Sequence, residues 1–406
     1  MNRVVAVAVS GGRDSMALLH CTAHAARRHG LHVVALHVHH GLMPAADDWA
    51  AFVERTCKRW AKRGLPVSFA MTRLQGQPAR GASVEAWARA GRYAALTAMA
   101  RHARASLVLL AHHRGDQAET FLLQALRGAG PAGLAAMPAL ARRDGRAWAR
   151  PWLGMRREAI DAYVRRHRIA FVDDASNRDP RFARSRLRAE VVPALRRAFP
   201  DAEATLAAAA RNAALARELA DEVAQSDLAS ILVDDEVDIA AWSALGPARR
   251  RNALRAWLAA AVPASSALLD RLVLEVGARR APAQWPLDGA TLRRYRGRLR
   301  VSVDANVTPA LRLHAVEVGG IALCLLQGAR WVDRRGGEQF QRAAHTSPRS
   351  LKKQFQTAGV PAWARDAPLL VAADGALLFV PGLGIDARAL SRPGRPRVSL
   401  EWVSGR

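Results

Sequence analysis

The chain runs to 406 residues, 50% hydrophobic and 24% charged, a composition of globular chains long enough for two or three domains. No run approaches the roughly 18 apolar residues of a membrane helix, and the N-terminus enters a strand without a basic, signal-like lead, so neither insertion nor secretion is expected. Lys and Arg number 61 against 35 Asp and Glu, a net charge of +26, which favours a polyanionic partner even after the Ala- and Arg-rich bias of the whole chain is discounted.

Val4-Val5-Ala6-Val7-Ala8-Val9 is an unbroken run of small or β-branched apolar residues and reads as a strand buried on both faces. It breaks at Ser10-Gly11-Gly12, after which Asp14 and Ser15 open a helix through Met16-Ala17-Leu18-Leu19-His20. A glycine turn between a buried strand and a helix N-terminus presents free N–H groups and a positive dipole end, which suits phosphate oxygens. The plainer reading, an ordinary strand-to-helix turn, uses the same residues. Further strands are expected over 32–38, ending in His39-His40-Gly41-Leu42, over 66–71, and over 106–111, ending at His112-His113. Helices are expected from about 45 to 63, from the Ser83-Val84-Glu85-Ala86 cap to about 103 with Arg89, Arg92 and Tyr93, and from near Asp116. This alternation predicts a doubly wound α/β domain with a mostly parallel sheet. Ligands bind such sheets outside the carboxyl ends of the strands, where the Ser10 turn and both histidine pairs fall.

Leu126-Arg127-Gly128-Ala129-Gly130-Pro131-Ala132-Gly133-Leu134 reads as a glycine-rich loop, 156–167 as an amphipathic helix, Asp173-Asp174-Ala175-Ser176-Asn177 as a turn, and 181–197 as a very basic helix. The alanine-dense stretch 201–222 reads as a connecting helix, with a boundary near Leu215. Residues up to about 310 look mainly helical, broken by prolines, with basic clusters at Arg249-Arg250-Arg251 and Arg293-Arg294-Tyr295-Arg296-Gly297-Arg298-Leu299-Arg300. From about 311 short strands alternate with glycine turns. The expected domains are therefore 1–214, a helical 215–310, and a small α/β or β-rich 311–406.

Ser10-Gly11-Gly12-Arg13-Asp14-Ser15 lacks the Gly-Lys-Ser/Thr of the Walker loop and resembles the pyrophosphatase loop of the N-type ATP pyrophosphatases. Those enzymes split ATP into AMP and pyrophosphate. The second motifs narrow the resemblance. Ala111-His112-His113-Arg114-Gly115-Asp116-Gln117-Ala118-Glu119-Thr120, Leu126-Arg127-Gly128 and Gly133-Leu134-Ala135-Ala136-Met137 resemble the tRNA(Ile)-lysidine synthetase family. So do Glu85 to Tyr93, Asp174-Ala175-Ser176-Asn177, and the distal Leu351-Lys352-Lys353-Gln354-Phe355-Gln356 with Gly359-Val360-Pro361-Ala362-Trp363-Ala364-Arg365. Two positions depart: Gly115 stands where many relatives carry Asp or Asn, and Arg184-Ser185 where they carry Arg-Asn.

The resemblance implies conversion of the wobble cytidine of tRNA(Ile) with a CAU anticodon to lysidine. ATP adenylates the cytosine C2 oxygen, and the ε-amine of free L-lysine then displaces AMP. It implies that ATP is held by Ser10, Gly11, Gly12, Arg13, Asp14, Ser15 and His39, with Mg²⁺ on Asp14 and Asp116, hard oxygen ligands that suit the ion. It implies lysine on Asp116 and Glu119, and a catalytic set of Asp14, Asp116, Glu119 and Arg89. tRNA contacts are expected at Arg184, Arg188, Arg334, Arg335, Lys352, Lys353 and Arg365. Each has a plainer reading: Asp14, Asp116 and Glu119 as acids at helix starts, the arginines as solvated faces, and the four histidines as satisfied pocket residues. The rivals are a cytidine thiolase and an idle tRNA-binding protein. Cys21, Cys57 and Cys324 lie far apart without a Cys-x-x-Cys, which speaks against cluster or sulfur-carrier chemistry and sets the expectation of a reducing cytoplasm.

Overall fold

A computed structural model describes residues 4–39, 41, 46–76, 84–173, 179, 181–262, 264–278, 281–303, 310–391 and 396–403. His40, Leu42, Ser83, the side chains of Glu85 and Ala86, and Asp174-Ala175-Ser176-Asn177 lie outside the described set. The chain folds as two compact units, Met1–Leu219 and Ala220–Arg406.

In the first unit, β1 (Val4–Ala8) lies mid-sheet, so its alternate side chains meet two separate cores. Val7 packs with Met16, Leu19 and Val53 on one face, and Ala6 with Leu36, Leu96 and Val108 on the other. The continuous apolar run follows from that double burial. Helices α1 (Arg13–Arg28), α2 (Ala46–Lys62) and α3 (Val84–His102) alternate with β2 (His32–His39), β3 (Val67–Arg73) and β4 (Leu107–Leu109). After α4 (Arg114–Ala125) and the short α5 (Pro131–Leu134), β5 (Leu140–Arg143) and β6 (Arg146–Ala149) form a hairpin that completes a six-stranded sheet. Its order is β3-β2-β1-β4-β6-β5, parallel except for β5. The hairpin was not expected from sequence. α6 (Arg157–Arg166) follows, then α7 (Ala183–Arg186), a π-helical turn over Leu187–Val191, and α8 (Val192–Ala198), where one basic helix was expected.

The second unit starts within α9 (Ala202–Ile231), which runs further than expected. The expected helices are present as α10 (Ile239–Ala244), α11 (Pro247–Ala259) and α12 (Ser266–Ala278). They pack on an unexpected antiparallel sheet, ordered β7-β8-β11-β10-β9, of β7 (Leu232–Val233), β8 (Glu236–Asp238), β9 (Ala283–Leu287), β10 (Ala290–Tyr295) and β11 (Arg298–Val303). Trp242, Leu258, Leu272, Leu292 and Leu299 are buried between them. Beyond lie short strands: β12 (Ala310–Ala315), β13 (Ile321–Ala322), β14 (Arg330–Val332), β15 (Gln339–Phe340), β16 (Arg349–Ser350), β17 (Leu369–Val371), β18 (Leu377–Val380), β19 (Gly384–Ile385) and β20 (Arg397–Val403), with one helix, α13 (Leu351–Thr357). Their arrangement is the strand-rich module expected after 311. Among the described residues no helix is long and apolar enough to cross a membrane.

Candidate active site

The turn from β1 to α1 is fixed by its own polar atoms. Ser10 N–H donates to Ser15 Oγ at 3.2 Å, Ser15 Oγ donates to the Gly12 carbonyl at 2.8 Å, and Gly12 N–H donates to Ser10 Oγ at 3.3 Å. Gly11 adopts φ +90°, a conformation that a side chain would strain. No side chain caps the α1 N-terminus, so its first amides and its dipole are left for an anion.

Asp14 and Asp116 converge from different helices on one ring. His113 Nε2 lies 3.9 Å from Asp14 Oδ2 and 3.6 Å from Asp116 Oδ2. The ring also caps α4: its Nδ1 accepts from Gly115 N–H at 3.1 Å, while Asp116 Oδ2 accepts from His113 N–H at 3.0 Å. This is a capping box with His at the first position, and it fixes where Asp116 points. Burial raises the pKa of Asp14 against the pull of His113, Arg157 and Arg13. At Asp116 burial works the same way, but His113, its amide, His112 and Arg188 prevail and hold the carboxyl below the usual range.

One helical turn on, Glu119 completes an acidic wall. Arg188 spans the pair, its Nη2 on Asp116 Oδ1 at 2.8 Å and its Nε on Glu119 Oε1 at 2.6 Å. Arg184 Nε stands 3.5 Å from Glu119 Oε2, which accepts no hydrogen bond, and Arg184 Nη2 donates to Thr120 Oγ1 at 2.7 Å. Arg188 sits in the π-helical turn four residues on from Arg184, and both reach the same acid, Glu119. Both arginines are expected on RNA from sequence; here their guanidinium groups meet the carboxylates expected to hold lysine.

The facing wall is cationic. Arg89, Arg92 and Arg143 lie over the Tyr93 ring at 5.6, 5.9 and 4.6 Å. Burial, with Arg89 and Arg184 added against Tyr93, lowers the pKa of Arg92. His112 is pushed down to about 4 by burial and by Arg150, Arg92 and Arg184, against Asp116. Between the walls opens a cleft of about 960 Å³, lined by Ser10, Gly12 to Ser15, Arg89, Arg92, His112, His113, Asp116, Arg157, Phe171, Arg184, Ser185, Arg188 and Ala189. Arg13 lines it while ion-paired with Asp161 at 2.6 Å. His39 is placed otherwise: buried, it accepts from Gly41 N–H at 3.1 Å and lies 3.2 Å from Asp47. Nothing in the sequence alone singles out Arg157 or Phe171. For the double role of His113 the one signal is its spacing from Asp116.

In the second unit Arg335, Lys352 and Lys353 are exposed. Arg334 lies over Phe355 at 5.2 Å and bonds the Arg365 carbonyl, and Arg365 bonds the Val360 carbonyl, each at 2.8 Å. Tyr295 and Trp363 meet edge to face at 5.7 Å.

Comparison with known proteins agrees along the chain. A PP-loop domain family model matches residues 1–195, a TilS substrate binding domain model 238–300, and a TilS substrate C-terminal domain model 329–402. A tRNA(Ile)-lysidine synthase of Ralstonia nicotianae is 40% identical over 95% of this chain and 90% of its own. Those of Chromobacterium violaceum and Pseudomonas aeruginosa are each 38% identical, over 96% and 93% of this chain and 95% and 90% of theirs.

Proposed function

Because the chain belongs to the tRNA(Ile)-lysidine synthase family, we propose that this cleft adenylates the wobble cytidine of tRNA(Ile) and joins lysine to it, with a named task for each wall. The observation that carries the reading is the juxtaposition of an uncapped helix N-terminus with the half-buried Asp14 and the buried Asp116 in one cleft, with the buried Glu119 tied to Asp116 through Arg188.

The ATP phosphates lie against the α1 amides. The cytosine C2 oxygen attacks the α-phosphorus, the bond to pyrophosphate breaks, and the developing charge meets amides that need no reorganisation. Asp14 and Asp116 fit Mg²⁺. Asp14 Oδ1 is buried and accepts no hydrogen bond, and two carboxylates suit an ion that keeps waters and takes its other ligands from phosphates. When bound, Mg²⁺ supplies positive charge against the leaving pyrophosphate. Among the described residues no cluster of three or more His, Cys, Asp or Glu side chains forms an all-protein metal cage. Arg89 and Arg92 face the phosphates, where their fixed forks make paired bonds.

Lysine then brings its ammonium to Asp116 and Glu119. The Arg188 guanidinium stands in for that cation here, and Glu119 Oε2, which accepts no hydrogen bond, is the second acceptor. The amine must lose a proton before it displaces AMP. The three-part division into 1–214, 215–310 and 311–406, with tRNA held by the latter two, belongs to the same proposal.

The test is direct: pure protein, ATP, labelled lysine and total tRNA. Label is expected in RNA with one AMP per lysine. Product formed equally well without lysine, or incorporation of sulfur, would overturn the reading.

A further inference from the structure

The first unit carries a second concavity, along the C-terminal half of α1 and the ends of α2 and α6, with a volume of about 380 Å³. Its floor is a packed set of rings. His20 is buried, its Nδ1 2.9 Å from the Tyr163 hydroxyl, and the rings of His24, Trp60 and His167 are centred 4.4, 5.0 and 5.2 Å from its own. Burial, then His24 and His167, push His20 down to about 4, and His24 is lowered too. Near neutral pH His20 and His24 are therefore uncharged rings in this floor.

The rim is the opposite. Arg27, Arg59, Arg63 and Arg168 border the pocket, all exposed, and no Asp or Glu lines it. None of the four has an acidic partner among the described residues, whereas Arg13, Arg114, Arg188, Arg249 and Arg255 each meet one. Arg168 sits at φ +49° just past α6, where glycine is the cheaper occupant. Four converging cations without a counter-ion repel one another until an anion joins them. Although three histidines contribute, among the described residues no such group is arranged to hold a metal.

We propose that this pocket binds a phosphate-bearing nucleotide, the phosphate among the four arginines and the base on the histidine and tryptophan floor, and that the nucleotide belongs to bound tRNA. Arginine suits phosphate through its paired donors, and base stacking on aromatic rings is the usual partner of such contacts in RNA recognition. The inference rests on tRNA being the substrate. A free nucleotide shares the chemistry, so the test separates the two.

In the full chain, Arg59→Ala with Arg63→Ala is compared with Arg165→Ala with Arg166→Ala, which removes equal charge from α6 outside the pocket. tRNA affinity is measured without turnover from about 50 to 200 mM salt, alongside the ATP bound per chain at equilibrium. The pocket pair should weaken tRNA about tenfold and lower the salt slope by about 1 to 2. It should raise KM for tRNA and leave turnover at saturating tRNA unchanged. The α6 pair should do none of this. Equal effects from both pairs, or none from either, overturn the proposal. Loss of one bound ATP per chain with tRNA affinity intact overturns its assignment to tRNA. A wild-type chain that incorporates no lysine would refute the reaction proposed for the cleft, yet leave this binding comparison readable.

Discussion

Asp14 is the residue at which function and stability part company. Its folded pKa lies above the ordinary 3.8 because burial disfavours the charge. As pH rises from 3.8 towards that raised value, the unfolded chain ionises first and stability is lost, and above that value the loss is complete. Asp14→Asn should therefore melt higher than wild type at pH 7 without nucleotide, with the gain shrinking to nothing below pH 3.8. The same variant should lose about 100-fold or more in ATP-dependent pyrophosphate release, as expected for a group that neutralises transition-state charge. Near-normal release would remove Asp14 from the catalytic set. Glu119→Gln should act differently, raising KM for lysine several-fold more than KM for ATP, because the proposal gives Glu119 to the lysine ammonium and not to the phosphates. Equal shifts in both constants would leave the lysine site unplaced.

The element that turns these residues into a site is the start of α4. His113 caps the helix, holds Asp116, and lowers its pKa, so one substitution tests all three. His113→Ala should cost about 0.5–2 kcal/mol in stability through the lost cap. It should also raise the Asp116 pKa, moving the acid limb of the kcat profile to higher pH, since the role proposed for Asp116 needs its ionised form. A stability loss with an unmoved limb would make His113 a cap only. Most of this was legible in sequence: the apolar run of β1, the glycine turn, and acids three residues apart at a helix start. The strand-rich middle was not, and the reason is physical. Arg293 to Arg300 reads as a basic cluster because its arginines are exposed or half-buried, yet Leu292 and Leu299 alternate with them and point into the core. Arg296-Gly297 turns the hairpin with φ +47° and +76°, and Asp144-Gly145 does the same between β5 and β6 with φ +50° and +71°. Both are two-residue turns of the kind that hairpins favour. The ion pairs of Arg188 escaped for another reason: Glu119 and Asp116 stand 69 and 72 residues away along the chain, and no local spacing rule pairs residues so distant.

For the molecule as a whole, a charge of +26 has to be divided between cations that hold the fold and cations free to meet RNA. In the module after 311, Arg334 and Arg365 belong to the first group. Their guanidinium groups bond the carbonyls of Arg365 and Val360, and Arg334 covers the buried Phe355. Lys352 and Lys353, exposed on α13, belong to the second. Replacing both lysines by alanine should lower tRNA affinity and reduce the salt slope by about 2, one released counter-ion per lost phosphate contact, with little change in melting. Arg334→Ala should do the reverse, melting earlier while the salt slope holds. Removing 311–406 altogether combines the effects. It weakens tRNA binding and flattens its salt dependence, and it uncovers Tyr295 and the Arg293 guanidinium, which pack against Trp363. ATP binding should survive the cut, because the glycine turn, both Asp14 and Asp116, and the sheet that carries them lie within the first unit. A truncated chain with unchanged tRNA affinity and salt slope that melts earlier would make the module a packing partner and no grip on RNA.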